Sequence, residues 1–424
     1  MLAKVQWPTK RLGELAEFRN GVNYNKNSFG EGVKVVGVSD FQDYTKPRYG
    51  ELEQINPEGI VTERNILRDG DIVFVRSNGN RELIGRSLFI DRPPEEVTHS
   101  AFTIRLRFHS HEVHPKFYAY CFRTPLIRQG LTASGGGTNI SNLNQDILNA
   151  LEVPLPPLPV QQRIASILSA YDDLMENNQR RIRILEAMAR ALYRERLVHF
   201  HFPGHEKLPR VTSPLGDIPK GWEVKTVAES FEVSGGGTPS RKEASYWDEG
   251  TIQWFAPSDL TAAGTMFMDG SPERISDLGL AESSARLFPA FSVMMTSRAT
   301  IGVIAINTHE ASTNQGFITC LPNERVPLYY LFHWLTENVP TFQRMASGAT
   351  FKEISRGVFK TIELLHPSAA LVRRFESQVA PMAKQILVLQ RQIQNLRWTR
   401  DLLLPRLLSG DLRVSVPPLT ESAM

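Results

Sequence analysis

The chain is written twice, and this feature narrows its fold more than any other. Ile55-Asn-Pro-Glu-Gly-Ile60 parallels Ile275-Ser-Asp-Leu-Gly-Leu280 without gaps, an offset of 220 residues, and the same offset carries Leu67 onto Leu287, Val73 onto Val293 and Ser77 onto Ser297. Val38-Ser-Asp-Phe41 answers Pro257-Ser-Asp-Leu260 one residue lower, and Ile84-Gly85 answers Ile301-Gly302. Further on, Pro115-Lys-Phe-Tyr-Ala-Tyr120 answers Pro327-Leu-Tyr-Tyr-Leu-Phe332, and Ala133-Ser-Gly135 answers Ala346-Ser-Gly348. Single matches arise easily; several in one order, with small drifts in offset, mark a duplicated structural unit.

Within each copy, short apolar or alternating runs such as Asp71-Ile-Val-Phe-Val75 and Ile301-Gly-Val-Ile-Ala-Ile306 read as strands punctuated by Gly, Asn and Pro. Apolar helix candidates follow at 115–128 and 327–344. The repeated unit is therefore a mixed α/β domain of α+β character. Each copy ends in a long helical pattern. From Val160 to about Phe200 there is no Pro or Gly, and Ile164, Ile167, Tyr171, Leu174, Ile182, Leu185, Ala189 and Leu192 keep heptad spacing, with a stutter through Asn178. In the second copy Phe375, Val379, Met382, Ile386, Leu389, Ile393, Leu396 and Leu403 keep a three-four rhythm until Pro405, where the pattern is expected to break. Two such seams in one chain predict antiparallel pairing and an approximate two-fold symmetry. Two amphipathic helices packed on their own domains are the alternative, but about 40 residues at 1.5 Å rise span roughly 60 Å, more than a domain of this size flanks.

The boundaries that result are a first domain at 1–156, a central helix at 157–203, a second domain at 204–367, a C-terminal helix at 368–412 and a tail at 413–424. The 424 residues carry 41% hydrophobic and 22% charged side chains, an ordinary globular balance. No apolar run is long enough for a signal peptide or a membrane span, and only Cys121 and Cys320 occur, so a soluble cytoplasmic protein is expected. A formal net charge of +3 lends nucleic-acid binding only modest support.

The residues also resemble a known family, the specificity subunits of type I restriction-modification systems. The similarity runs through Gly221-Trp222, Ser234-Gly-Gly-Gly-Thr-Pro239, Ile252-Gln-Trp-Phe-Ala-Pro-Ser-Asp-Leu260, Ile275-Ser276, Ser297-Arg-Ala-Thr-Ile-Gly302 and Thr313-Asn-Gln-Gly-Phe317. Val153-Pro-Leu-Pro-Pro-Leu-Pro-Val-Gln-Gln-Arg163 looks like that family's proline-rich entry into a helix, and Leu402-Leu-Leu-Pro-Arg-Leu-Leu-Ser-Gly410 like its C-terminal end. The resemblance implies two target-recognition domains joined by two long antiparallel coiled-coil helices, each domain reading one half of a bipartite, non-palindromic DNA site. It also implies docking of two methyltransferase subunits and of nuclease-translocase subunits. S-adenosylmethionine, ATP and magnesium would then belong to the partner subunits, with no cofactor in this chain. The first copy departs from the pattern, with Arg76-Ser77 where the second has Ser297-Arg298 and Asn20-Gly21-Val22 where the second has the triple glycine. This puts in doubt any residue-for-residue transfer of DNA contacts between the halves.

A search for catalysis finds no Gly-rich nucleotide loop, no Asn-Pro-Pro or Asp-Pro-Pro loop and no P-loop, so the expected role is non-catalytic. The histidine tracts His109/His111/His114 and His199/His201/His205 lack zinc-site spacing, and no metal is expected. The candidate DNA contacts are the polar loop Arg76, Ser77, Asn78, Asn80 and Arg81, its counterpart Ser297, Arg298 and Thr300, and the glycine loops with their neighbours. Those supply Thr138 and Asn139, then Thr238, Ser240, Arg241 and Lys242, then Thr350 and Lys352. Arg, Asn and Gln carry the directional donors that base edges require, while Lys and backbone N–H groups suit phosphates. Ordinary solvated turns are the alternative for each loop. For the whole chain, the alternatives are a coiled-coil scaffold that binds only proteins, and a specificity subunit of another methyltransferase assembly without translocation.

Overall fold

The computed structural model describes residues 7–41, 45–125, 127–128, 131, 142–348 and 352–415. It divides into two units, the first comprising Met1–Leu174 with Leu396–Met424 and the second Met175–Asn395.

In the first unit, Thr9–Arg11 pairs antiparallel with Glu152–Pro154 to form a ribbon. Beyond it lies an antiparallel sheet in the order Ala16–Asn20, Thr103–Phe108, Ile72–Val75, Ser87–Phe89. A second sheet centres on Phe29–Val36, antiparallel to Gln54–Ile55 and parallel to Val97–His99. The second unit repeats this plan. Glu223–Thr226 pairs with Glu363–His366, and the main sheet runs Glu232–Gly235, Phe317–Leu321, Val293–Thr296, Ile304–Asn307, extended by Phe267–Met268. Its small sheet centres on Ile252–Phe255, antiparallel to Glu273–Ile275 and parallel to Ala311–Thr313. The mixed α/β class and the internal duplication are thus both present.

The central strand Ile72–Val75 is buried on both faces, which is why its sequence is a continuous apolar run rather than an alternating one. Ile72 and Phe74 pack with Phe117, Tyr118 and Leu168, while Val73 and Val75 pack with Val36, Phe41 and Leu88. Strand pairing also corrects the sequence register by one residue. Phe74 lies opposite Ile104, and Met295 opposite Ile318. Ile104 faces Asn20 as Ile318 faces Gly235. Val293 is therefore the counterpart of Ile72 rather than Val73, and Ser297 that of Arg76 rather than Ser77. Leu67 likewise answers Phe288, since their amides donate to Val97 and to its counterpart Ala311. The offset of 220 holds at Ile55 and Ile275, since Gln54 lies opposite Lys34 as Arg274 lies opposite Gln253, although in the first unit the pairing shifts between Phe29 and Val33.

The first long helix runs Leu158–Tyr193, with Pro159 in its first turn, where a missing N–H costs nothing. The second runs Ala369–Ser409, so the expected break at Pro405 does not occur. An interior proline costs roughly 3 kcal/mol. Leu407 and Leu408, however, are buried with Ile164, Ala165 and Leu168 of the first helix, and Leu403 and Leu404 pack against them. At about 1.5–3 kcal/mol per buried leucine, the packing outweighs the proline. Gly410, at φ 83°, ends the helix instead.

In each unit the helices pair antiparallel. In the first, Arg400 Nη1 donates to Asp172 Oδ1 at 2.6 Å while Leu407 lies against Ile164 and Leu168. In the second, the stutter residue Asn178 is buried and donates to Gln392 Oε1 at 3.3 Å, and Arg196 donates to Gln378. A polar residue inside a helical seam specifies register at some cost in stability.

Glu376 makes the second unit pH-sensitive. Its carboxylate accepts the N–H of Tyr330 at 2.7 Å at the start of helix Leu328–Met345. Burial outweighs this bond and pushes the carboxyl up to about 7 from an ordinary 4.5. The folded chain thus holds a proton that the unfolded chain has lost, so stability should fall as pH rises from about 4.5 to 7 and level off above. Glu376→Gln is expected to be more stable than the parent by roughly 2–3 kcal/mol at pH 8 and about equal to it near pH 4.5. Urea midpoints at the two pH values measure this, and a difference independent of pH would contradict it.

Candidate nucleic-acid interface

In the first unit the strand Ile72–Val75 delivers Arg76 to a loop held from both sides. Arg76 donates its N–H to Phe102 O at 2.8 Å and accepts Leu143 N–H at 2.8 Å. The loop then stiffens itself: Asn78 Oδ1 accepts Asn80 N–H at 2.7 Å, and Asn80 Oδ1 accepts Glu82 N–H at 3.0 Å. Each carboxamide oxygen is used internally, as Asn does in tight turns, which leaves the NH2 groups to face an outside acceptor. Arg76, Ser77 and Asn78 are half-buried and Asn80 is exposed. The side chain of Arg81 lies outside the described residues, as do Thr138, Asn139 and Thr350.

The second unit builds the same scaffold with other side chains. Ser297 donates its N–H to Gly316 O at 2.8 Å and accepts Ile354 N–H at 3.0 Å, and its side chain is buried, which takes it away from any surface ligand. The next residue, Arg298, is half exposed, its Nε 3.9 Å from Glu353 Oε2. Ala299 donates its N–H to Lys352 O at 3.0 Å, so Arg298, the exposed Thr300 and the exposed Lys352 share one edge. Thr238 bonds the turn that receives Ser297 instead, its hydroxyl donating to Gln315 Oε1 at 2.7 Å.

Ser240, Arg241 and Lys242 are also exposed, but Arg241 is not an idle cation. Its guanidinium makes two bonds to Glu273, at 2.5 and 2.7 Å, and lies 3.7 Å from the centre of the Trp247 ring. A carboxylate already neutralises it. The triple glycine has a packing cause as well. A Cβ on Gly236 would stand 2.1 Å from Asn314 O, and one on Gly237 2.2 Å from Ser284 Oγ. Gly21 repeats the feature, 2.1 Å from His99 O. Gly237 N–H is used within the fold, donating to Thr313 O at 2.9 Å. The histidine tracts make local bonds, such as His205 Nδ1 with Phe202 O at 2.7 Å. Among the described residues no group of three His, Cys, Asp or Glu side chains could hold a metal ion.

The family model for the type I restriction modification DNA specificity domain matches residues 4–187 and again 219–370. The chain belongs to this family. Its function is DNA sequence recognition in a restriction-modification complex. A type I restriction enzyme MjaIX specificity subunit from Methanocaldococcus jannaschii is 34% identical over 187 residues, 42% of this chain and 43% of that one. The putative MjaX specificity subunit of the same organism is 24% identical over 423 residues, 96% of this chain and 94% of that one. The HindI specificity subunit of Haemophilus influenzae is 22% identical over 413 residues, 82% and 88% of the two chains. The crystal structure of a type I system S subunit from M. genitalium shares the fold, with a TM-score of 0.58 and 16% identity over 97% of both chains.

The turn that receives Arg76 and Ser297 lies, in the second copy, within the motif Thr313-Asn-Gln-Gly-Phe317, but its residues are absent from the candidate contacts that sequence reasoning names. In the first unit it is Ser100-Ala-Phe-Thr103, with Phe102 60% exposed, a large apolar side chain beside a polar loop. In the second it is Asn314-Gln-Gly-Phe317, where Gly316 takes the place of Phe102 and Gln315 that of Ala101. Both turns are braced alike: Phe102 N–H donates to Ser100 Oγ at 3.2 Å, and Gly316 N–H to Asn314 Oδ1 at 2.8 Å. The available signal was a lone phenylalanine between Ala101 and the strand Thr103–Phe108, where turn chemistry favours polar residues.

Proposed function

We propose that each unit reads one half of a bipartite, non-palindromic DNA site, and that the chain carries no catalytic centre of its own. The observation that carries this reading is a single backbone scaffold with unlike side chains. Arg76 with Phe102 in the first unit answers Ser297 with Gly316 in the second, and Ser77 answers Arg298. Two copies of one reader with different side chains at the same edge suit two different half-sites. Phe102 offers an apolar surface for a thymine methyl, while Arg298 offers the fork that pairs with guanine O6 and N7. Lys352, on the same edge, suits a phosphate.

Methyltransferase and nuclease-translocase subunits would dock on the long helices, which leave Leu174, Trp398 and Leu402 exposed in the first unit and Ile184, Met188 and Val388 in the second. S-adenosylmethionine, ATP and magnesium would serve those partners. The complex would work in the cytoplasm; among the described residues no helix is long and apolar enough to cross a membrane. The domain boundaries 1–156, 157–203, 204–367, 368–412 and 413–424 are kept as the proposed division of labour.

The reading is tested on the assembled methyltransferase. Arg298→Ala is expected to widen base tolerance only in the half-site read by the second unit. Lys352→Ala should weaken binding to all sequences alike and lower the salt slope by about one. Methylation mapping and filter binding at several salt concentrations report both, and relaxation of the other half-site by Arg298→Ala would refute the modular reading.

A further inference from the structure

Where the first unit fills the space between its sheet edge and the long helices with its own polar side chains, the second unit leaves it open. In the first unit Tyr120 Oη donates to Asp172 Oδ2 at 2.7 Å and Arg400 Nη1 to Asp172 Oδ1 at 2.6 Å. The remaining gap, lined by Thr45, Lys46, Ser87 and Phe89, is only about 20 Å³.

The duplication identifies the matching positions. Tyr118 Oη donates to Pro154 O as Tyr330 Oη does to Leu365 O. Tyr120 therefore answers Phe332. The long helices begin at Leu158 and Ala369, an offset of 211 that agrees with Pro154 and Leu365. Asp172 then answers Ala383, and Arg400, on the antiparallel partner, answers Ala189. All three polar groups of the first unit are truncated in the second: tyrosine to phenylalanine, aspartate to alanine, arginine to alanine. What remains is a cavity of about 440 Å³ lined by Phe332, Ala383, Ala189, Gly264, Thr265 and Ile304 among others. That volume is within the usual range for small-molecule sites.

The cavity's polar groups define what it takes. His333 lines it but is only 4% exposed, and neither ring nitrogen is open to the cavity or has a hydrogen-bond partner, which leaves Glu186 as the accessible acceptor. The His333 ring stacks on Tyr193 at 5.6 Å, and burial pushes it down to about 4, so at neutral pH it is uncharged. Glu186, on the same wall, has no hydrogen-bond partner among the described residues, and burial raises its carboxyl above the ordinary range. Arg190, the one cation among the described residues that line the cavity, is occupied by Glu337 at 2.7 Å, and the charge of Arg183 acts on Glu186. Met266, Val303, Val379 and Ile386 supply apolar wall.

We infer that the second unit binds one small planar aromatic molecule that donates a hydrogen bond, in the space its counterpart fills with Tyr120, Asp172 and Arg400. The first unit displays the same chemistry internally, an aromatic ring whose hydroxyl donates to a carboxylate. Because only one of the two spaces is open, the stoichiometry is one per chain. A side chain of a methyltransferase bound in two equivalent copies would instead need both.

Indole is a suitable probe, with toluene as a similar ring that lacks the donor. Titration calorimetry on the full chain should show saturable one-to-one indole binding, with toluene at least about tenfold weaker because the Glu186 carboxyl would stay unpaired. Ala383→Leu, which fills the cavity, should abolish binding. So should the triple variant Ala189→Arg/Phe332→Tyr/Ala383→Asp, which rebuilds the first unit's arrangement. Circular dichroism and the methylated sequence of the assembled enzyme should stay as in the parent. Absence of saturable binding, or binding that survives Ala383→Leu, overturns the inference. Equal affinity for toluene overturns the assignment of a donor. Loss of methyltransferase affinity in the filled variants without any indole binding would make the cavity a partner's socket and overturn it too.

Discussion

Asp71→Ala is expected to cost the first unit about 3 kcal/mol of unfolding free energy. The carboxylate is 1% exposed and accepts Arg107 Nε and Nη2, both at 2.7 Å, as well as Arg68 N–H at 2.7 Å. Removing it leaves a largely buried guanidinium and a backbone donor unpaired, and breaking one side of such a pair costs about 3–5 kcal/mol. The lower figure applies because Arg107 is 21% exposed. The second unit shows how the fold does without the pair. Ser292 answers Asp71 and Leu321 answers Arg107, while Pro289, which has no N–H to satisfy, answers Arg68. Ser292 instead donates its hydroxyl to Pro289 O at 2.9 Å. Asp71→Ser/Arg107→Leu should therefore recover more than half of the loss in urea unfolding; a double variant no more stable than Asp71→Ala would exclude the isolated charge as the cause.

Adding four residues beside Asn178 and four beside Gln392 is expected to change the spacing of the recognised site but not its bases. Four residues lengthen each helix by one turn, about 6 Å, which on B-DNA at roughly 3.4 Å per base pair is at most two base pairs. The insertions must come in pairs. Asn178 and Gln392 are bonded in the second unit, so an insertion beside Asn178 alone puts the seam out of register and should lower stability without a clean change in target. Methylation mapping of the paired variant should return both half-sites with a gap one or two base pairs longer. An unchanged gap in a fully active variant would mean that these helices do not set the distance.

The duplication, the strand-rich units and the two long helices were legible because each rests on periodicity, which survives divergence. The register was not. Val73 and Val293 match as letters, yet all four residues of Ile72–Val75 and of Val293–Thr296 are buried, so alternation could not fix which face each occupies. Pro405 misled for a different reason, since its local cost is visible in sequence and the burial of Leu407 and Leu408 that offsets it is not. Among the candidate contacts, Arg298 and Lys352 do share an edge, through a backbone bond from Ala299 that composition cannot signal. Arg241 looked like a free cation beside a flexible loop. Its partner Glu273 is 32 residues away, and Gly236 and Gly237 have a packing cause that the sequence does not display.

The ribbons at the base of each unit bear on how such a chain could be re-engineered or could evolve. Thr9–Arg11 enters the first unit directly beside Glu152–Pro154 leaving it, reinforced by Leu12 N–H to Leu151 O at 2.8 Å and Leu155 N–H to Pro8 O at 2.7 Å. Glu223–Thr226 and Glu363–His366 do the same for the second, with Val227 N–H to Ile362 O at 2.8 Å. The two ends of each unit thus leave through one clasp, and ends held together are what tolerate grafting. A foreign reader spliced in at both strands of a clasp would inherit correct closure without altering either long helix. If each unit reads its own half-site as proposed, exchange at both strands of a clasp would change what is read and leave the sequence of both long helices as it is.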